Sequence, residues 1–195
     1  MTPKQSEQIR NRILKIKAFL AADKKRWGGY YDDSRGLRYE PPQLYIKLGD
    51  YSGGLRYVRW FDKNFPDDAG YAEFLLEFTI ILFQSGKLKE AEKRAFQTFC
   101  SNTYVYDKFF DRPIVPIVKY ESFDDAPKHI ESLEYSCNQP ELADFTDWLG
   151  KLTSSEKFIS TSSKYIEIHV RLKTEDDRET RHYLVEHAHQ LMKNF

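Results

Sequence analysis

Gly49-Asp50-Tyr51-Ser52-Gly53-Gly54-Leu55-Arg56-Tyr57 is the stretch from which the fold is read. It follows an apolar-periodic run, Pro41 to Leu48, and precedes a second one that reaches Asn64. A glycine just past a helix tolerates the left-handed backbone that ends it. The stretch therefore reads as the turn of an antiparallel helix pair. Gly86-Lys87-Leu88-Lys89-Glu90-Ala91, 37 residues further on, reads the same way between the runs 71–85 and 88–100.

Two helix pairs at nearly constant period are the mark of a helical repeat protein, for which periods of about 34 residues are typical. The pattern resembles the tetratricopeptide repeat. Gly49-Asp50-Tyr51 and Gly86-Lys87-Leu88 lie where that family turns between its two helices. Gly54 and Ala91, each five residues on, lie where it places a small residue at the closest helix contact, and Pro66 falls on its repeat-ending proline. Thr103 departs from the proline pattern in the second copy, and Pro41-Pro42 shortens the opening helix of the first. Gly53-Gly54 is a weak pair inside a helix, at roughly 1 kcal/mol per glycine relative to alanine.

The expected architecture is all-α: antiparallel helix pairs stacked as a short tetratricopeptide-like solenoid with flanking capping helices. One domain over 1–195 is expected, made of an N-terminal helix and aromatic loop (1–40), the helix-pair repeats (41–110), and an acidic linker with C-terminal helices (111–195). Two copies fall short of the three or so repeats that usually make a stable stack, so the flanking helices, or a second copy of the chain in a homo-oligomer, must complete the core.

The flanks read in order. Residues 4–22 carry Ile9, Ile13, Ile16 and Leu20, with Leu14, Lys17 and Ala21, at helical spacing, and Thr2 or Ser6 is placed to cap them. Residues 27–40 form a loop by their Gly, Asp and Ser content, yet hold Trp27, Tyr30, Tyr31 and Tyr39, which either tuck onto the core or serve contact. Phe65-Pro66-Asp67-Asp68 reads as a break and a new helix start. Residues 104–110 read as a short helix, and Arg112 to Val118, with Pro113 and Pro116, as extended chain. Helices are expected over 142–152, 155–172 and 178–193. A strand is the alternative at 165–171, and Thr174 or Asp176 is placed to cap the last helix, with Tyr183, Leu184, His187 and Leu191 turned inward.

Charge excludes some functions. Lys plus Arg and Asp plus Glu both number 30, so no net field gathers nucleic acid or anionic membrane. The distribution is uneven. Residues 1–40 carry a local +5, and residues 121–147 set eight carboxylates, Asp124 and Asp125 among them, against Lys128 alone. No run approaches the ~20 apolar residues of a membrane span. The start of the chain is polar, and Cys100 and Cys137 are isolated, so the cytoplasm is the expected setting.

No sequence signature of catalysis is present: neither a phosphate-binding glycine loop with its Lys-Ser/Thr nor a nucleophile elbow. His182, Glu186, His187 and His189 share a helix, but without the His-Glu-x-x-His order of a zinc site. No catalytic residue, metal or cofactor is assigned. The resemblance implies a scaffold or adaptor that holds a peptide or partner protein in a groove lined by the first helix of each pair. Carried over, the lining residues are Gln43, Ile46, Lys47, Glu73, Glu77, Ile80 and Gln84. They lack the basic and asparagine clamp of chaperone-binding members and imply a basic amphipathic partner segment. The alternatives are a nucleic-acid binder using the basic N-terminal helix and a metal-dependent enzyme using the histidine cluster.

Overall fold

The computed structural model describes residues 1–121 and 126–195. Among them every regular element is helical. The contacts gather into two compact units. Met1–Asp68 with Ile80–Gly86 makes the first, and Ala69–Thr79 with Lys87–Phe195 the second.

The first unit opens with α1, Pro3–Arg26. Thr2 and Gln5 close a reciprocal capping box there, and Pro3 at the first position is already set for helical φ. Ile13, Ile16 and Leu20 are buried at three- and four-residue spacing. Leu14, one position off that stripe, is 63% exposed and not part of the apolar face. A 3-10 turn, Leu37–Tyr39, leads into α2, Pro41–Leu48. Gly49 then takes φ +65° and ends the helix, and the Asp50 carboxylate accepts the Gly53 N–H at 2.8 Å to start α3, Tyr51–Asn64. α2 packs on α3 and α1 on α2.

The glycine pair inside α3 is explained by close approach. A Cβ on Gly53 would meet the capping carboxylate of Asp50 and lie 2.6 Å from Tyr45 Cε1. One on Gly54 would lie 3.1 Å from Ile81 Cδ1. The helix gives up propensity at these positions so that its neighbours can come in. Gly54 is thus a small residue at a tight contact with Ile81.

Helix α4, Ala72–Gln84, contributes its residues up to Thr79 to the second unit and those from Ile80 on to the first. It begins later than the Pro66-Asp67-Asp68 signal. Gly70 at φ +65° intervenes, and Asp68 is drawn away to Arg38 and Tyr39 instead of capping.

In the second unit, α5, Leu88–Ser101, buries Ala91, Ala95, Phe96, Phe99 and Cys100. Leu88 begins the helix but is 47% exposed, so it does not face inward. Thr79 and Thr98, both fully buried, place their hydroxyls 3.2 Å apart and also bond the carbonyls four residues back. Short α6, Val105–Phe109, follows, and Tyr106 donates to the Ala95 carbonyl at 2.7 Å. After extended chain through 112–118 come two 3-10 turns, Pro127–Ile130 and Pro140–Leu142. Then follow α7, Ala143–Thr153, α8, Glu156–Leu172, and α9, Arg178–Asn194.

Residues 165–171 belong wholly to α8, which overturns the strand alternative. Tyr165, Ile168 and Leu172 are buried at helical spacing, and Tyr165 donates to the Cys100 carbonyl at 3.0 Å. The cap of α9 is Asp177, not Thr174 or Asp176; its carboxylate accepts the Thr180 N–H at 2.8 Å. Leu184 and Ala188 form the buried stripe of that helix, while Tyr183, at 64%, and His187 are exposed. The Phe195 ring stacks on Phe96, centroids 4.4 Å apart, with Phe158 set edge-on.

Candidate functional site

The residues expected to line a groove are found in different environments. Gln43, Ile46 and Gln84 are half-buried and Lys47 is exposed, all in the first unit. Ile80, also of the first unit, is 0% exposed, and Glu77 of the second is 3% exposed. These two sit inside the protein, where helical spacing alone could not place them. Glu77 Oε1 accepts the Tyr135 hydroxyl at 3.0 Å, and the half-buried Glu73 accepts the Glu134 N–H at 3.0 Å. The two acids organise the chain around 134–135.

Around Lys47 the first unit does form an open cleft. Gln5, Gln8, Ile9 and Arg12 of α1 face Leu44 and Lys47 of α2 across about 550 Å³. Its apolar contribution comes from Met1, Ile9 and Leu44, and its charge from Arg12 and Lys47. The Arg12 guanidinium grips Glu40 with two bonds, Nε to Oε1 at 2.7 Å and Nη2 to Oε2 at 2.5 Å. That partner raises the Arg12 pKa further, so the cation persists at all working pH. Of the residues expected to line a groove only Lys47 borders this cleft, and none of those on α1 was among them. The signal of the α1 side was the alternation of Gln5, Gln8 and Arg12 beside Ile9, which also reads as an ordinary solvated face.

A polar knot holds the loop between α1 and α2. Asp33, with a fully buried side chain and φ +31°, accepts the N–H groups of Leu37 and Arg38 at 2.9 and 3.0 Å and pairs with Arg38 Nη1 at 3.0 Å. Arg38 Nε reaches Asp68 at 2.8 Å, and the Tyr39 hydroxyl donates to the same carboxylate. Burial, then the hydrogen bond to Asp68, pushes the Tyr39 pKa up to about 12. Tyr57 donates to the Arg38 carbonyl at 2.7 Å. The loop aromatics divide: Tyr31 and Tyr39 pack, with the Tyr31 ring 4.7 Å from Phe65, while Trp27 and Tyr30 are 50% and 79% exposed.

The other candidates do not assemble. His182, Glu186, His187 and His189 are all exposed along α9. No three metal-ligating side chains converge among the described residues. His169 shares a hydrogen bond with the Tyr120 carbonyl at 3.2 Å, and the Tyr120 N–H donates to the His169 carbonyl. Cys100 is buried, and Cys137 is a free thiol at partial exposure. Asp124 and Asp125 of the acidic stretch lie outside the described residues. No helix among the described residues is long and apolar enough to cross a membrane.

Comparison with protein-family models, with curated proteins and with solved structures gave no match.

Proposed function

We propose that this chain is a non-catalytic interaction module of tetratricopeptide-like design that holds an extended or helical segment of a partner protein in the α1–α2 cleft. The observation that carries the reading is the cleft itself: an open depression of about 550 Å³ with Met1, Ile9 and Leu44 at its apolar positions and Lys47 for charge, beside Arg12, which Glu40 already pairs. Such a lining suits a segment with apolar anchors and acidic side chains. The basic segment implied by Glu73 and Glu77 is dropped from the proposal, since Glu77 is buried and Glu73 already holds the Glu134 backbone. The repeat reading is supported by the paired helices around Gly49 and by the close packing at Gly54. A cytoplasmic setting, with both cysteines as thiols, belongs to the same proposal.

The test is selection of displayed peptides against the full chain, followed by affinity measurement on Ile9→Asp and Lys47→Glu variants. Enrichment of apolar–acidic peptides that lose about tenfold or more in affinity with either variant supports the proposal. Peptides that bind both variants unchanged place the interaction elsewhere and sink it. Recovery of nucleic acid with the purified chain, dependent on Lys24 to Arg26, turns the reading to the basic N-terminal helix.

A further inference from the structure

The first unit also holds a second, more enclosed recess. It measures about 210 Å³ and is lined by Lys17, Leu20 and Ala21 of α1, Tyr31 of the loop, and Tyr57 and Trp60 of α3. None of these residues lines the α1–α2 cleft. Leu20 and Tyr57, 1% and 3% exposed, lie deepest. Tyr31 and Trp60 are half-buried, their ring centroids 5.9 Å apart at an interplanar angle of 85°, and Tyr57 and Trp60 lie 5.1 Å apart.

Both tyrosine hydroxyls are already engaged. Tyr57 donates to the Arg38 carbonyl, and Tyr31 donates to Asn64 Oδ1 at 3.3 Å. The recess therefore offers aromatic and aliphatic carbon, a surface that selects a flat apolar body. An apolar cavity of about 150 Å³ takes a benzene ring, so this recess has room for one or two fused rings and not for a drug-sized molecule.

Charge at the opening selects the rest of the ligand. Lys17 is exposed and pairs with no carboxylate among the described residues. Lys24, seven positions and two turns along the same side of α1, bonds Asn64 Oδ1 at 2.8 Å and stands 5.0 Å from the Tyr31 ring centroid, with two N–H donors to spare. The nearby acid, Asp23, keeps its negative charge, which acts on the Tyr31 hydroxyl, while its Oδ2 is turned to the N–H groups of Asp32 and Asp33, so two cations stand against one anion here. Two ammonium groups beside an aromatic slot disfavour a cationic guest and favour an anionic one.

We propose that this recess binds a planar aromatic carboxylate, its ring held by Tyr31, Tyr57 and Trp60 and its carboxylate by the Lys17 ammonium. The ring supplies the buried area, and the ion pair fixes which end faces water. Lys24 adds to the field and holds Tyr31 in place.

Ligand-observed saturation-transfer NMR on the full chain tests this with indole-3-acetate, indole and tryptamine, which share a ring and differ in charge. Indole-3-acetate is expected to bind, and tryptamine to bind at least fivefold more weakly. Lys17→Glu, on an exposed helical position, is expected to weaken indole-3-acetate about fivefold and leave indole unchanged. Ala21→Phe, also exposed on α1, fills the mouth of the recess and is expected to abolish all three, with an unchanged circular dichroism spectrum. No transfer from indole-3-acetate at millimolar concentration overturns the proposal. So does equal binding of tryptamine, or binding that survives Ala21→Phe.

Discussion

Tyr135 points its hydroxyl at Glu77 across 3.0 Å in surroundings where the two residues are 6% and 3% exposed. Burial, and then the negative charge of Glu77, push the Tyr135 pKa far upward, so the phenol stays a donor. Removing that donor takes one hydrogen bond from a buried carboxylate, and loss of a buried hydrogen bond to a charged group costs about 1–3 kcal/mol. Tyr135→Phe is therefore expected to lower the stability of the second unit by that amount. Urea unfolding followed by far-ultraviolet circular dichroism measures it. A midpoint equal to the parent would show that Tyr135 acts only through its ring.

Gly53→Ala is expected to destabilise although it raises helix propensity by roughly 1 kcal/mol. Its Cβ would collide with the Asp50 carboxylate that caps α3 and come within 2.6 Å of Tyr45 Cε1. Relief requires the cap to be broken, and a lost cap costs about 1 kcal/mol by itself. A net loss of about 1–3 kcal/mol in thermal or urea unfolding is predicted, because both the cap and the tyrosine must shift. The same substitution combined with Asp50→Ala should cost less than the two changes added together, since they disturb one contact. Strict additivity would refute this account of the glycine.

How far the sequence foretold these arrangements follows from their range. Gly49 was legible because a helix end and a positive φ are local matters, and α8 and α9 because their apolar spacing persists over several turns. The strand alternative at 165–171 stayed open because a short alternation of apolar and polar residues fits both periods, and burial of Tyr165, Ile168 and Leu172 at helical spacing, with Tyr165 bonded to the Cys100 carbonyl 65 positions away in sequence, decides for the helix. Ile80 and Glu77 were misplaced for a related reason. A helix such as α4, apolar on most sides, gives no phase from which to choose an outward face. The recess at Tyr31, Tyr57 and Trp60 needed three distant segments together, and its one sequence signal was an unusual density of aromatics in a glycine-rich loop.

Alkaline pH should weaken the protein through its buried tyrosines. The Tyr39 pKa, ordinarily near 10, is raised to about 12, and those of Tyr31, Tyr45, Tyr57, Tyr106 and Tyr135 are also raised, each chiefly by burial. A folded-state pKa above the unfolded one means that the native state holds its proton more tightly. That stability is complete below pH 10 and drains away as pH rises toward 12 and beyond. Absorbance at 295 nm should show these buried tyrosines ionising only above pH 10 and together with loss of helix. A single titration step near pH 10 with helicity intact would contradict these environments. Tyr39→Phe should flatten the slope between pH 10 and 12.

The Asp33 knot changes how the loop that contains it behaves toward a protease. Gly28, Gly29 and Gly36 lie between arginines and lysines, a composition that ordinarily invites cutting. Here the carboxylate of Asp33 fastens the backbone at Leu37 and Arg38, and Asp23 fastens it again at Asp32 and Asp33. The Arg38 side chain that trypsin must grasp is already held by two aspartates. A bond there becomes cleavable only when the whole clasp opens at once. The stretch from Asp32 to Arg38 thereby resists hydrolysis although a glycine sits within it.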